Sequence, residues 1–251
     1  MNLEVKNIKK TYGSGERILP ALEQINLNVK EGEFVSVIGP SGCGKSTIFN
    51  IVSGLDHPDE GQILIDGLDV TGQTGHISYM MQKDLLLPWR TVLDNAILAA
   101  EVQGESRKAA RARAYELLPA FGLEQFAREY PVKLSGGMRQ RAALLRTVMA
   151  NQDIWLLDEP FGALDAMTRD RMQEWLLEVC RQFRPVVLFI THSIEEAVYL
   201  SDRVYVLSDR PARIKDEITI DLARPRHRDM VTQDRFLHFK DLLLQELYQQ
   251  R

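Results

Sequence analysis

The chain has 251 residues and a formal net charge of -4, with 31 Lys and Arg against 35 Asp and Glu, and it is 45% hydrophobic. That content suffices for a large core, and the lack of a net basic field argues against a nucleic-acid partner. No apolar run is long enough to predict a membrane span, the first residues lack a secretory layout, and Cys43 and Cys180 have no framework spacing, which predicts free thiols in a reducing compartment.

Residues 3–8 and 25–29 alternate apolar with polar, the period of strands with one wet face. Residues 35–38 and 154–157 are compact apolar runs suited to buried strands. The first of these runs leads into Gly39-Pro40-Ser41-Gly42-Cys43-Gly44-Lys45-Ser46, which matches the phosphate-loop pattern G-x-x-x-x-G-K-[ST] and continues with Thr47. Backbone N–H groups must close around phosphate oxygens with no side chains in the way, which calls for the three glycines. Lys45 supplies a point charge to the outer phosphates, and the Ser46 hydroxyl suits magnesium. Residues 77–81 read as a further strand before Gln82. From 91 to 150 the pattern is helical: 92–102, then 106–121 with Ser106 as N-cap, then a helix opening near Gly136, with Pro131 and Gly136-Gly137 bounding the last break. The basic residues Arg107, Lys108, Arg111 and Arg113 form either a solvated helix face or a docking surface for an acidic partner. Strand 154–157, helix 166–183, strand 186–190 and helix 194–200 then give the alternation of a parallel α/β sheet. Residues 213–220 read as a last strand. Phe236, Phe239, Leu243 and Leu247 recur at helical spacing up to Tyr248, a closing amphipathic helix for the core, for a neighbouring subunit or for a membrane surface.

Two adjacent carboxylates, Asp158 and Glu159, end the apolar run 154–157, and that ending is costly unless the charges meet a cation. Asp158 is predicted to reach magnesium, directly or through its water, and Glu159 to act as general base on the water that attacks the γ-phosphate. Gln82 and His192 also follow strand-like runs, near strand ends where ligands collect. Taken alone, His192 is equally compatible with a structural hydrogen bond.

The segment Leu134-Ser135-Gly136-Gly137-Met138-Arg139-Gln140-Arg141 resembles the signature motif of ATP-binding cassette (ABC) proteins. Tyr12 is similar to that family's adenine-stacking aromatic, Gln82 to its glutamine lid, Ala163-Leu164-Asp165 to its D-loop and His192 to its switch histidine. The resemblance implies an α/β fold: a P-loop NTPase core with a RecA-like mixed sheet, an antiparallel β subdomain and an inserted helical subdomain at about residues 83–150. The ABC-type ATPase domain would span 1–222, followed by a C-terminal helical extension over 223–251. It further implies ATP and Mg2+ as ligands. Glu159, His192 and Gln82 form the catalytic set, and Ser46, Gln82 and Asp158 the metal set. The nucleotide set is Tyr12, Gly39 to Thr47, Ser135, Gly136, Gly137 and Asp165. In the family each ATP is sandwiched between the phosphate loop of one copy and the signature motif of another, so the expected partners are a second copy and multi-span membrane permease subunits. A solute-binding protein would be an indirect partner, and the expected location is peripheral, at the cytoplasmic face of the cell membrane. Leu86-Leu87-Pro88-Trp89 and the segment from Glu159 to Arg169 look like bacterial importers of nitrate, sulfonate, taurine or related pyrimidines, with Leu86, Leu87 and Trp89 as an apolar docking patch unless Trp89 is a core aromatic. The alternative is a soluble cassette ATPase acting on nucleic acid or ribosomes. Ser193 after His192, the short stretch from Gly72 to His76, and Arg146-Thr147-Val148 depart from the usual family pattern.

Overall fold

The computed structural model describes residues 1–13, 18–150, 152–162 and 164–248, so Ala163 of the D-loop-like segment and the last three residues of the C-terminal extension lie outside the described residues. The strands are β1 (Asn2–Tyr12), β2 (Leu19–Lys30), β3 (Phe34–Ile38), β4 (Glu60–Ile65), β5 (Leu68–Asp69), β6 (Ser78–Met80), β7 (Ile154–Asp158), β8 (Val186–Ile190), β9 (Arg203–Leu207) and β10 (Ile214–Thr219). The helices are α1 (Lys45–Val52), α2 (Val92–Ala96), α3 (Leu98–Val102), α4 (Arg107–Leu117), α5 (Gly136–Met149), α6 (Ala166–Phe183), α7 (Ile194–Leu200) and α8 (Asp234–Tyr248). Among the described residues no helix is long and apolar enough to cross a membrane.

Strands β3, β7 and β8 are buried along their whole length, and their side chains divide between two cores with period two. Val35, Val37, Ile154, Leu156, Val186, Leu188 and Ile190 face one core, shared with α1 and the β1–β2 pair. Phe34, Ile38, Trp155, Leu157, Val187 and Phe189 face the other, shared with α2 to α8. These strands lie in a sheet of order β10-β9-β3-β8-β7-β6, in which the pairs from β9 to β6 are parallel and β10 is antiparallel to β9. A second sheet, β2-β1-β4-β5, is antiparallel throughout. The helical region from α2 to α5 is inserted between β6 and β7.

Several expected elements change their bounds. The run 92–102 is two short helices meeting at Ile97, where ψ opens to 1°. Helix α4 starts after Ser106, whose hydroxyl accepts from the Ala109 N–H at 3.2 Å, but stops at Leu117 rather than continuing to 121. Pro119 explains the stop, because it has no N–H to continue the ladder. The alternating strands are longer than their patterns, since edge residues of β1 and β2 pair without being buried. The basic face of α4 is tied within the chain: Arg107 and Arg111 reach Asp94, Arg107 also reaches Glu101, and Arg113 reaches Glu105.

The closing helix α8 belongs to the second core. Phe236 and Leu243 are wholly buried and Phe239 nearly so, in the cluster that holds Val198, Leu200 and Val204. Phe236→Ala should therefore destabilise the fold by about 3–5 kcal/mol. Chemical denaturation checks this, and a loss under about 1 kcal/mol would show that α8 packs loosely on the core.

Candidate nucleotide site

The phosphate loop starts where β3 leaves the core. Gly44, the residue before α1, has φ 129°, and a Cβ there would lie 2.8 Å from Leu22 Cδ2 and 3.2 Å from the Ala21 carbonyl, so glycine is required. Helix α1 has neither a side-chain cap nor an acidic residue in its first turn, which leaves its N-terminal N–H groups and dipole available to an anion. Lys45 is buried and folds back, its Nζ donating to the carbonyls of Gly39 at 2.8 Å and Pro40 at 2.9 Å. Ser41, Gly42 and Ser46 are exposed, Thr47 is half-buried, and Cys43 is buried with its thiol pKa pushed up by desolvation. The guanidinium of Arg210, from the loop after β9, donates to the Gly42 carbonyl.

The tip of β7 lies beside this loop. Asp158 is 5% exposed, and its Oδ2 accepts from Ser46 Oγ at 3.1 Å and from the Tyr79 hydroxyl at 3.3 Å. Burial pushes the Asp158 carboxyl up from its ordinary pKa, with the neighbouring Glu159 charge adding to the shift. Glu159 turns away from the strand at φ 45° and is anchored by its N–H to the Ile190 carbonyl at 2.9 Å. Its Oε2 accepts from Gln82 Nε2 at 2.9 Å and lies 3.4 Å from His192 Nδ1. Loop, serine, both carboxylates, glutamine and histidine thus form one connected set at one edge of the sheet. Ser46 and Asp158 offer adjacent hard oxygen donors, which fits magnesium; Gln82, the third expected ligand, is engaged with Glu159 instead. Among the described residues no group of three or more His, Cys, Asp or Glu is placed to hold a metal by itself, as expected for an ion that takes much of its shell from water and phosphate.

Tyr12 is 37% exposed at the end of β1; its hydroxyl donates to Asp56 Oδ2 at 2.6 Å, and Lys10 Nζ lies 5.1 Å from its ring centre. The signature-like turn sits elsewhere. Ser135 caps α5, its Oγ accepting from the Met138 N–H at 3.3 Å, and a Cβ on Gly137 would come within 2.9 Å of Thr168 Cγ2 on α6. No hydrogen bond among the described residues joins Ser135, Gly136 or Gly137 to the phosphate loop. Asp165 is exposed and caps α6 by accepting from the Thr168 N–H at 3.0 Å. Of the expected docking patch, Trp89 is 71% exposed and is no core residue, whereas Leu86 is 8% exposed and faces the core, with Leu85 on the surface instead at 50%. Arg146 secures this segment to α5, donating to the carbonyls of Asp84 at 2.6 Å and Leu85 at 2.7 Å.

Sequence reasoning missed Tyr79, Asp56 and Arg210. Alternation in 78–80 could have placed Tyr79 on the Phe49 side of the sheet, while nothing local marks the other two.

Residues 22–162 match the family described as ABC transporter. The chain is 41% identical over 222 residues to a nitrate import ATP-binding protein of Synechocystis, covering 88% of this chain and 84% of that one. It is 44% identical over 208 residues to a taurine import ATP-binding protein of Rhizobium johnstonii, covering 83% and 79%. A solved dimeric ATP-binding cassette in a post-hydrolysis state with ADP and Pi superposes with a TM-score of 0.76 at 35% identity, over 88% of this chain and 100% of that one. With a phosphate loop and a carboxylate pair meeting at one sheet edge, and with this likeness over most of its length, the chain belongs to the ABC transporter family and is one of its ATPases.

Proposed function

We propose that the chain powers a bacterial importer of a small solute, of the nitrate, sulfonate, taurine or pyrimidine kind, as a peripheral subunit at the cytoplasmic membrane face. The observation that carries its chemistry is the Glu159 carboxylate, set between Gln82 and His192 and one residue from the Asp158–Ser46 pair. On this reading the amides from Gly39 to Thr47 and the Lys45 ammonium hold the phosphates, and Tyr12 stacks on adenine. Ser46 and Asp158, with Gln82 nearby, would hold magnesium, which would supply charge neutralisation at the phosphates. Glu159 accepts the proton of the attacking water, and His192 orients the terminal phosphate.

A second copy completes the site with Ser135, Gly136, Gly137 and Asp165. Two observations support this: the signature-like turn is packed against α6 of its own chain, and a dimeric cassette is among the structural relatives. Permease chains would dock on the helical region, about residues 83–150, where Trp89 and Leu85 are exposed close in sequence to Gln82. A solute-binding protein would deliver the cargo to them.

Replacing Glu159 by Gln keeps the shape and removes the base. ATP hydrolysis should fall by about 100-fold or more while ATP binding and nucleotide-driven pairing persist; normal turnover in this variant would remove the base assignment. Lys45→Ala should weaken ATP binding by about 10- to 100-fold, the value of a lost charge-assisted contact. Equilibrium binding of a fluorescent ATP analogue measures it, and unchanged affinity would refute the phosphate-loop assignment. The importer role is checked by co-purification: a multi-span membrane protein is expected with the chain, and tight retention of DNA or ribosomes in its place would count against transport.

A further inference from the structure

One buried carboxylate has no part in phosphate chemistry. Glu196, in the first turn of α7, is 6% exposed. Its Oε2 accepts from Thr191 Oγ1 at 2.5 Å and its Oε1 from Gln173 Nε2 at 3.1 Å. Thr191 Oγ1 in turn accepts from the Ser193 N–H at 3.0 Å, and Ser193 Oγ accepts from the Glu196 N–H at 3.3 Å. Both residues flanking His192 are therefore fastened to Glu196.

On its other side Glu196 meets α6. Arg169 Nε lies 3.8 Å from Glu196 Oε1, and Arg169 Nη2 donates to the Leu164 carbonyl at 2.8 Å, one residue before Asp165. Leu164 lies next to the signature-like turn, close enough that a Cβ added at Gly136 would come within 3.6 Å of its Cδ2. A continuous path thus runs from the turn carrying His192, through Glu196 and Arg169, to the segment that abuts Ser135-Gly136-Gly137. The path has unused capacity, because Arg169 Nε and Gln173 Oε1 are buried without hydrogen-bond partners. At 3.8 Å the Arg169 Nε–Glu196 Oε1 pair lies just outside hydrogen-bond range, so the network leaves room for a second, tighter arrangement. Burial works against the Glu196 charge, and an apolar side chain of that shape would fill the space at lower cost, which favours a role for the carboxylate beyond packing.

We propose that Glu196 is a positioning residue that couples the His192 turn to the 164–165 segment, so that His192 is aligned when that segment is seated against a second copy. This rests on the roles proposed above for His192 and for the two-copy site.

The test uses steady-state ATP hydrolysis and ATP-driven pairing of the full chain. Glu196→Gln should lower kcat by about tenfold, the scale on which loss of an orienting partner acts, while KM stays within about twofold and pairing occurs at the same ATP concentration. In a double-mutant cycle, Glu196→Gln combined with His192→Ala should be no slower than His192→Ala alone. Arg169→Met, which cuts only the α6 side of the path, should give the same kcat-selective loss and covers the case in which the Glu196 variant folds poorly. Losses that multiply in the cycle, a rise in KM at constant kcat, or wild-type kcat in Arg169→Met would each overturn the coupling and leave the role of His192 standing. Wild-type kcat in His192→Ala itself would instead remove that role, and the coupling with it.

Discussion

Burial of β3, β7 and β8 on both faces is the constraint from which the site follows. A strand enclosed in this way has no place along its length for a charge, so charged and polar side chains collect where it leaves the core. The three strands run parallel, so their carboxyl ends share one edge, and neighbouring strands lie about 4.8 Å apart. That spacing brings Lys45, the Asp158–Glu159 pair and His192, far apart in sequence, to a single edge. The chemistry is concentrated by topology before any side chain makes a hydrogen bond.

Adjacent carboxylates at one strand tip would repel each other if they pointed the same way. Asp158 still obeys the strand period and turns toward Ser46 and Tyr79. Glu159 leaves it by adopting φ 45°, a conformation that costs a non-glycine residue about 1 kcal/mol or more. The hydrogen bond from its N–H to Ile190 and the bond from the Gly162 N–H to its carbonyl hold it there. The strained turn sends the second carboxylate to Gln82 and His192 and gives the two acids different neighbours, which suits the separate metal and base roles proposed for them.

The sequence was most readable where the physics is local. Phosphate loop, apolar strands and the carboxylate pair each declare themselves within a few residues, because glycine geometry and strand period act over that range. The β4–β5 hairpin was also legible in principle, since Asp66-Gly67 between apolar runs is a strong hairpin signal that the strand reading passed over. Leu85-Leu86-Leu87 was not, because three consecutive leucines have no period from which to tell the inward one from the outward one. Arg210 was invisible for a different reason: Gly42 lies 168 residues away, so that partner exists only after folding, as does Gln173 for Glu196, 23 residues away, although Thr191 and Ser193 beside Glu196 are local.

The two helix termini that the proposed site uses, those of α1 and α5, are joined by no hydrogen bond among the described residues. Helix α7 has Glu195 and Glu196 in its first turn and α6 has Asp165 as its cap, whereas α1, α4 and α5 have no acidic residue in either place. Their positive ends are thus left without local compensation. At α5 the Ser135 hydroxyl accepts from the Met138 N–H, and the closeness of Thr168 requires Gly137 to remain without a side chain, so the turn lies packed against α6. In the two-copy site proposed above, a polyphosphate would neutralise both ends at once by lying between two copies. In such an arrangement nucleotide charge is what joins the protomers, and cleaving the terminal phosphate weakens the join. On the proposed two-copy reading, the packing of this turn on α6 would make the state of the nucleotide legible to the assembly.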